Sequence, residues 1–438
     1  MVRGRAHRRR GEVRIPSNIG PLEMKHLAHL PSAMCGIALS IIPTVAWSEN
    51  MTLDVITQNG TFYQAVVDAY AANGAKYSVT LQAPSKTYDE VAQRAVRAAM
   101  IGNPPDVVFM GYDRMELAKD RKIAMPLDDL VGTQQELERQ GYPTSALDLC
   151  RLEGKLYGLP FATSVPSIFY NAELVKQAGG NADAFPDTWG GIFELATKIS
   201  ALGRDKSGIF FRYDHSGNWS WQALITSFGG QLIKDDGKTI AFDGPAGQSS
   251  FDVLYRLKDA GMIDMTTDQA KQSFTSGAVG IYFDSSASLI SLQEGSQFRV
   301  GTAQYPSPVA NSRLPGGGNC AILTTPKAER QKAAVDFMKF ATGPVGQTAL
   351  VEATGYISTN TLANEDPAYL GNFYKDNPAA RTAVDTLPRL TNWQSFPGKN
   401  SPKIVDVIRG YLQSVITHRT TPEKAMQGLV AEVKPLLP

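Results

Sequence analysis

The sequence predicts an α/β protein with two lobes, and three observations support this prediction. The chain has 438 residues, which is more than one hydrophobic core usually organises, so two domains are expected. Short apolar runs typical of buried parallel strands alternate with amphipathic helical segments. Between the two halves lies the segment 154–180, in which Pro160 and Pro166 disfavour a helix and indicate an extended crossover. Sheets of this kind bind ligands beyond the carboxyl ends of their strands.

The first half reads as alternating strands and helices. The predicted strands are 53–57, 77–82 and 106–110, and the predicted helices are 62–72 and 88–100. This order places Tyr88 and the residues that follow Met110 near the binding crevice.

The second half contains clear helix start signals. Asn171 is predicted to cap a helix over 172–178 that ends at Gly179-Gly180, and Thr188 to cap one over 189–202. Further helices are predicted at 218–228, 246–260 and 333–340, with Thr421 opening the last one, and strands at 208–211, 240–242, 279–283 and 321–324.

The amino terminus has the composition of targeting sequence. Residues 1–23 are rich in arginine and are expected to be an untranslated or disordered extension, because a conventional secretory signal starts at Met24. That signal, 24–48, has a basic start, an apolar run and a small-x-small site at Ala46–Ser48. A twin-arginine signal is disfavoured because no apolar stretch follows Arg10, and a lipoprotein anchor because most of the apolar run follows Cys35. We expect an exported, periplasmic protein.

Charge and cysteine content narrow the function classes. Without residues 1–48 the chain keeps 36 basic and 40 acidic residues, a formal charge of −4, which gives no reason to expect a nucleic acid partner. Two cysteines remain, Cys150 and Cys320. Export makes a disulfide possible, but the pair lacks the spacing of a disulfide framework, so two separately buried thiols are expected.

Several segments, in this order, resemble one family. They are Tyr157–Pro160 before the crossover, Phe274–Gly277 ahead of an apolar strand, the serine run Ser285–Leu289, the turn Gly316–Gly318 and Thr354–Tyr356. Together they resemble the extracellular solute-binding proteins of bacterial ABC importers, and most of all the glycerol-3-phosphate-binding members. The resemblance extends over nearly the whole chain after residue 48.

The resemblance implies a type II periplasmic binding protein fold, with a ligand cleft between two lobes and three hinge crossings. Lobe 1 is expected to comprise 49–160 plus 286–341, and lobe 2 to comprise 164–284 plus 345–438. Carried over residue by residue, it places the following residues around the solute: Tyr88, Ser164, Trp219, Ser286, Ser288, Gly318 and Tyr356. Hydroxyl groups can satisfy polyol or phosphate oxygens, and an indole ring can pack on a carbon chain.

Two departures from the glycerol-3-phosphate binders leave the solute open. Those relatives have an acidic residue after the second buried strand, and the corresponding position in this chain falls at Phe109 or its neighbours. Where they have a phosphate-pairing arginine, this chain has Pro397, with Lys399 nearby. A lysine is a point charge and does not replace the bidentate fork of arginine.

The implied function is that of the periplasmic substrate-binding component of an ABC transporter. Its solute is a small polyol phosphate or a sugar, with glycerol-3-phosphate ranked first, and its protein partners are the permease subunits. A secreted carbohydrate-active hydrolase is the alternative. After residue 48 the only histidines are His215 and His418, far apart in sequence, so histidine-dependent catalysis or metal binding has little material. We expect a monomer with no enzymatic activity, no cofactor and no metal.

Overall fold

The computed structural model describes residues 51–234 and 236–438. The predicted extension 1–23 and signal peptide 24–48 lie outside these residues. The strands are Thr52–Ile56, Ser78–Leu81, Val107–Gly111, Arg151–Leu152, Lys155–Leu156, Leu159–Ser164, Pro166–Asn171, Ser207–Phe211, Val279–Ser285, Val300–Gln304, Leu314–Pro315, Gly317–Leu323 and Leu390–Thr391.

Each predicted helix is present with similar bounds, whereas the four short helices between residues 115 and 147 were not predicted. They are Gly60–Ala72, Tyr88–Met100, Met115–Asp120, Asp128–Val131, Gln134–Arg139, Thr144–Leu147, Ala172–Gln177, Trp189–Ser200, Trp219–Ser227, Pro245–Asp259, Thr267–Thr275, Leu289–Gly295, Ala328–Thr342, Pro344–Ala353, Thr361–Glu365, Phe373–Asp376, Pro378–Val384, Ser401–Ile416 and Pro422–Val433. The caps work as predicted: the Asn171 side chain accepts from the N–H groups of Glu173 and Leu174, and the Thr188 hydroxyl accepts from Gly191 N–H.

The first lobe is organised around a five-stranded sheet. Its strand order begins with the edge strand 78–81, continues through 52–56, 107–111 and 317–323, and ends at 159–164. The first three strands are parallel, and 317–323 runs antiparallel to both of its neighbours. The strand 107–111 is buried along its whole length because both faces of the sheet are covered.

The second lobe is organised around a separate four-stranded sheet with the order 300–304, 166–171, 279–285 and 207–211. The predicted boundaries are wrong for 300–304, which had been assigned to the first lobe. This strand pairs antiparallel with 166–171, and Val300 lies opposite Asn171. Because 300–304 follows 279–285 along the chain and joins the same sheet, the chain returns to the first sheet after Gln304 and not at 284–286 as the predicted boundaries required.

The chain passes between the sheets three times. The first crossing is at Val165, the second lies between Gln304 and Gly317, and the third follows the helix Pro344–Ala353. That helix had been assigned to the second lobe, but its Leu350 belongs to the core of the first. The break at Gly343-Pro344 therefore separates two helices of one lobe, because Pro344 occupies the first turn of the new helix without disturbing its packing.

Each sheet has its own hydrophobic core. The first-lobe core gathers Val107, Phe109 and Phe161 with the helices on either side, and the second-lobe core gathers Phe169, Phe210 and their neighbours. No helix in the described part of the chain is long and apolar enough to cross a membrane.

A disulfide joins Cys150 to Cys320, contrary to the expectation of two separate thiols. Their Cα atoms lie 5.9 Å apart although 170 residues separate them in sequence. Cys150 ends a short 3-10 turn, and Cys320 lies in the strand 317–323. Spacing along the chain gave no sign of this pairing, because the sheet brings the two residues together.

We expect loss of the disulfide to destabilise the first lobe. Closing a loop of this length restricts the unfolded chain, and such bonds typically contribute about 2–4 kcal/mol. The variant Cys150→Ser/Cys320→Ser should therefore unfold at lower urea concentration than the wild type. Reductant should lower the midpoint of the wild type and leave that of the variant unchanged. Equal midpoints for the oxidised wild type and the variant would contradict a stabilising role.

Gly318 is expected to tolerate no side chain. Its φ is +136°, and an added Cβ would lie 1.9 Å from the Ala162 carbonyl oxygen, so the backbone would have to move. Gly318→Ala should cost on the order of 1–3 kcal/mol of unfolding free energy. Gly316→Ala is the matched control, because its Cβ would meet the end of the Leu390 side chain at 3.3 Å and the Thr391 carbonyl oxygen at an ordinary contact distance of 3.9 Å. Equal stability of the two variants in urea titrations would refute this account.

Candidate functional site

Three aromatic side chains meet where the two lobes face each other. Tyr88 begins a first-lobe helix, Trp219 begins a second-lobe helix, and Trp393 lies on a loop after the short strand 390–391. The ring centroid of Trp393 lies 6.1 Å from that of Tyr88 and 6.3 Å from that of Trp219. All three side chains are buried. They form an apolar surface contributed by both lobes.

A network of hydroxyl and amide groups lies beside this aromatic surface. The Asn319 amide donates to the Tyr88 hydroxyl at 2.8 Å and to the Tyr63 hydroxyl at 3.2 Å. The hydroxyls of Tyr88 and Tyr356 are 3.3 Å apart. Burial raises the pKa of both Tyr63 and Tyr88 well above the usual value, so these phenols stay neutral and can both donate and accept.

Asp113 supplies a buried carboxylate at the same place. It follows the strand 107–111 and lies 3.3 Å from Arg114 Nε, but neither of its oxygens has a hydrogen-bond partner among the described residues. Burial raises the pKa of Asp113 to about 7; the charge of Arg114 opposes this rise, and repulsion from Asp89 adds to it. A buried acceptor without a partner is costly, which makes it a candidate for contact with a ligand.

The Trp393 indole N–H likewise has no partner in the described structure, and it faces the same spot as Asp113. A Cβ built on Gly217 would lie 2.6 Å from Asp113 Oδ2 and 3.2 Å from Trp393 Nε1. A donor and an acceptor therefore flank one point on the Gly217 backbone. Gly217 itself has φ +56°, in the left-handed region that favours glycine.

Polar contacts hold the lobes together around this point. Tyr88 N–H donates to the Ser216 hydroxyl at 3.0 Å, and Gly217 N–H donates to Asp89 at 3.4 Å. Arg114 forms an ion pair with Asp89 and donates to the Ser401 hydroxyl at 3.2 Å. Because Ser216, Gly217 and Ser401 belong to the second lobe, this edge of the cleft is closed.

A second charged cluster lies next to Trp219 and contacts it through His215. Asp284 lies 3.1 Å from Arg212 Nη1 and 2.9 Å from His215 Nε2, and it accepts from the Ser288 hydroxyl at 3.0 Å. Burial opposes ionisation of Asp284, but Arg212 and His215 outweigh it and hold its pKa below the usual range. Burial and the charge of Arg212 lower the pKa of His215, whose ring packs 5.1 Å from that of Trp219.

Four of the seven predicted site residues come together. Tyr88 and Trp219 form part of the aromatic surface, and the Tyr356 hydroxyl lies next to that of Tyr88. Ser164 lies beside Trp219, because a Cβ on Gly317 would meet both the Ser164 hydroxyl and the Trp219 ring within 2.9 Å.

The other three predicted residues have contacts elsewhere. The Ser286 hydroxyl accepts from Val165 N–H at 3.2 Å at the first crossing, and Ser288 donates to Asp284. Gly318 packs its backbone against Ala162. These contacts brace the hinge and the cleft wall.

The sequence reasoning named neither Asp113, Asn319 nor Trp393, although it expected the residues after Met110 near the binding crevice. The reading stopped at Phe109, which is a core residue with its ring centroid 4.4 Å from that of Phe161. Asp113 carried a usable signal, since it is the first acidic residue after the apolar strand. Trp393 carried none, because its segment has no periodicity. Lys399 is exposed and does not line the cleft cavity, whereas Pro397 does.

Beyond Trp393 the cleft opens into a cavity of about 430 Å³, which we call the outer chamber. The first lobe contributes Glu116, Asp148 and Arg151 to its walls, and the second lobe contributes Lys234. Across residues 51–234 and 236–438, no group of three His, Cys, Asp or Glu side chains could hold a metal ion.

Comparison with known proteins places the chain in a family. The model of the family described as "Bacterial extracellular solute-binding protein" matches residues 65–382. The sn-glycerol-3-phosphate-binding periplasmic protein UgpB of Escherichia coli K12 is 24% identical over 374 residues, covering 80% of this chain and 83% of that protein.

Solved structures share the fold. UgpB of Mycobacterium tuberculosis, in complex with glycerophosphocholine, superposes with a TM-score of 0.77 at 23% identity, covering 87% of this chain and 97% of that one. A solute-binding protein of Thermotoga lettingae with bound α-D-tagatose gives a TM-score of 0.74 at 18% identity, covering 89% and 100%. The chain therefore has the type II periplasmic binding protein fold and belongs to the bacterial extracellular solute-binding proteins, the solute-binding components of ABC importers.

Proposed function

We propose that this protein captures a small polyhydroxylated solute, a sugar or a glycerol derivative, between its lobes. The observation that carries the proposal is the pair formed by the Asp113 carboxylate and the Trp393 indole N–H beside Gly217. One solute hydroxyl can donate to the carboxylate and accept from the indole at the same time. Tyr88, Ser164, Trp219 and Tyr356 complete the site with hydroxyls and an aromatic surface. Ser286, Ser288 and Gly318 support the site indirectly, through their contacts at the first crossing and in the wall of the cleft.

The position of a phosphate group follows from the charges. The relatives named for glycerol-3-phosphate support a phosphorylated solute. However, Arg114 is already paired with Asp89 and lies beside Asp113. The proposed site around Asp113 and Trp393, which we call the inner site, therefore offers no uncompensated cation. A phosphoryl group next to the Asp113 carboxylate would be repelled. The inner site therefore receives the hydroxyl end of the solute, and a phosphate, where present, lies further out.

Delivery to a permease follows from the placement of the site. A solute that contacts both lobes favours the closed form by its differential affinity, and the closed form is what the permease receives. We assign no catalytic step: Asp89, the carboxylate whose charge raises the pKa of Asp113, is held by Arg114 and Gly217 N–H. The signal peptide 24–48 exports the protein to the periplasm, where it acts as a monomer. Product formation from glycosides or phosphodiesters would instead favour the hydrolase alternative.

A solute panel tests the proposed class. Maltose, α-D-tagatose, glycerol-3-phosphate and glycerophosphocholine all carry the required hydroxyls, and inorganic phosphate serves as the control. A solute at a hundredfold excess over its dissociation constant stabilises the folded state by about 2.7 kcal/mol, which a thermal shift assay detects. At least one polyol should raise the melting temperature and reduce the radius of gyration in X-ray scattering. A shift with phosphate alone would refute the proposal.

The charge of Asp113 gives affinity a defined pH dependence. A hydroxyl donated to the carboxylate favours its ionised form, so affinity for the solute identified by the panel should rise from pH 6 to pH 8, through the pKa of about 7, and then level off. Asp113→Asn should bind roughly 10–100-fold more weakly, the loss of a charged hydrogen bond, with a flat profile. Asp129→Asn, at an exposed position, is the control.

The unliganded protein should show the opposite trend. Because the folded state raises the pKa of Asp113 above its unfolded value, the folded state holds the extra proton between about pH 4 and pH 7. This contribution to stability is lost as pH rises through 7. Between about pH 4 and pH 7, the melting temperature of Asp113→Asn should therefore fall less than that of the wild type. Parallel pH profiles of affinity or stability would contradict the role of Asp113.

A further inference from the structure

A second pocket lies in the second lobe, apart from the cleft. Its walls are formed by Asp187–Trp189, by Phe228, by the helix Pro245–Asp259 and by Pro306–Pro308 of the second crossing. The volume of this pocket, which we call the lobe-2 pocket, is about 320 Å³, and it shares no lining residue with the outer chamber. Such a volume is within the range of about 300–1,000 Å³ that small-molecule sites occupy.

The apolar lining of the lobe-2 pocket is held in place by packing and hydrogen bonds. It consists of the side chains of Trp189, Phe228, Val253 and Pro306, which are buried or half-buried. The Trp189 ring centroid lies 5.2 Å from that of Phe283 and 5.5 Å from that of Tyr305. Arg389 donates to the Tyr305 carbonyl at 2.8 Å and to the Pro306 carbonyl at 3.2 Å. A surface that is already fixed can bind a ligand without a large loss of conformational entropy.

Two exposed carboxylates, those of Asp187 and Asp252, also line the pocket. Within the described residues, neither of them takes part in an ion pair. Arg256 lies one helical turn after Asp252, where it could pair with it, but its guanidinium packs over the Phe193 ring, 4.5 Å from the ring centroid. The pocket thus combines two carboxylates with one guanidinium that is engaged by an aromatic ring. This charge distribution favours a cationic group on a ligand.

The Trp189 indole N–H has no hydrogen-bond partner among the described residues, although the side chain is buried. A buried donor without a partner is costly. Because Trp189 lines the pocket, a ligand with a hydroxyl or carbonyl oxygen can accept from this N–H. The lining therefore offers three kinds of contact: an apolar surface, two carboxylates and one donor.

From these contacts we infer that the lobe-2 pocket is a second small-molecule site and that its ligand is an amphipathic amine. The apolar body of the amine packs against Trp189 and Phe228, its ammonium group lies beside Asp187 and Asp252, and an oxygen of the ligand accepts from the Trp189 indole. Aromatic side chains stabilise such a cation further. An anionic ligand is disfavoured because it would meet two carboxylates.

Three matched probes test the ligand class by calorimetry. Tyramine has an aromatic ring, a hydroxyl and an ammonium group; 4-ethylphenol lacks the ammonium group, and 3-(4-hydroxyphenyl)propanoate has a carboxylate in its place. Tyramine should bind roughly fivefold more tightly than 4-ethylphenol, and the propanoate should bind most weakly. Added sodium chloride should reduce the preference for tyramine, because it screens the two exposed carboxylates.

Two variants locate the bound amine. Asp187→Asn/Asp252→Asn should bring the affinity for tyramine down to that for 4-ethylphenol, and leave the latter unchanged. Ser249→Phe, which places bulk in the pocket, should weaken both probes about fivefold or more, since the apolar contact is lost. The matched control is Asp243→Asn/Asp259→Asn, which removes the same charge at exposed positions outside the pocket and should preserve both affinities.

The indole N–H resonance of Trp189 gives a direct readout in the wild-type protein. Tyramine should shift this resonance as the N–H gains an acceptor, with the same dissociation constant that calorimetry gives. Trp189→Phe assigns the resonance. Melting curves exclude misfolding of the variants, and the wild-type resonance decides the case should Ser249→Phe fail to fold.

Several results would overturn the inference. Equal affinity for tyramine and 4-ethylphenol, or no saturable binding of either, would remove the amine site, and tightest binding of the propanoate would indicate an anion site. Tyramine binding that neither pocket variant weakens, with no shift of the Trp189 resonance, would place the amine elsewhere in the protein. None of these results bears on solute capture in the cleft, because the two sites have no lining residue in common.

Discussion

The buried guanidinium of Arg114 is the group on which the closed cleft depends. It is almost inaccessible to solvent, it pairs with Asp89 and lies beside Asp113, and it reaches the second lobe through Ser401. Burying one cation between two carboxylates is tolerated only because the charges compensate one another. The same compensation removes Arg114 as a partner for an anionic solute. Closure and selectivity are thus linked by one side chain.

The polar groups at and beside the inner site are of two kinds: some have hydrogen-bond partners within the protein, and others have none among the described residues. The phenols of Tyr63 and Tyr88 are held by Asn319, and Asp284 is held by Arg212 and His215. These groups are rigid because their hydrogen bonds are already made. Asp113 and Trp393 are fixed equally well by packing, yet their polar atoms have no partner in the described structure. In the proposed site, groups that are fixed in this way orient a solute at little entropic cost.

Two covalent or steric constraints keep this arrangement in register. The disulfide joins the wall of the outer chamber to the strand 317–323, and Gly318 lets that strand approach Ala162 more closely than any other residue would allow. Both lie within three residues of Asn319. The strand 317–323 therefore contributes Asn319 to the hydroxyl network and, through Cys320, is bonded to the wall of the outer chamber.

The sequence by itself determined the α/β class, the family and most of the predicted elements, although the predicted strand 240–242 is only an isolated bridge at Ile240. Helix caps such as Asn171 and Thr188 act over three or four residues, so they can be predicted from the sequence. Buried strands such as 107–111 can be predicted as well, because their local composition is strongly apolar. The family resemblance also supplied Tyr88, Trp219 and Tyr356 as candidate site residues, and the structure brings these three side chains close to one another.

Only the tertiary structure decided the lobe boundaries, the disulfide and half of the inner site. The strand 300–304 joins the second sheet through backbone pairing with 166–171, and the helix Pro344–Ala353 stays with the first lobe through Leu350. Neither choice is visible in local periodicity. Cys150 and Cys320, or Asp113 and Trp393, lie 170 or more residues apart, and they meet because two sheets and a crossover bring their segments together. A residue pattern read along the chain cannot specify contacts of that range, whereas the packed sheets determine them uniquely.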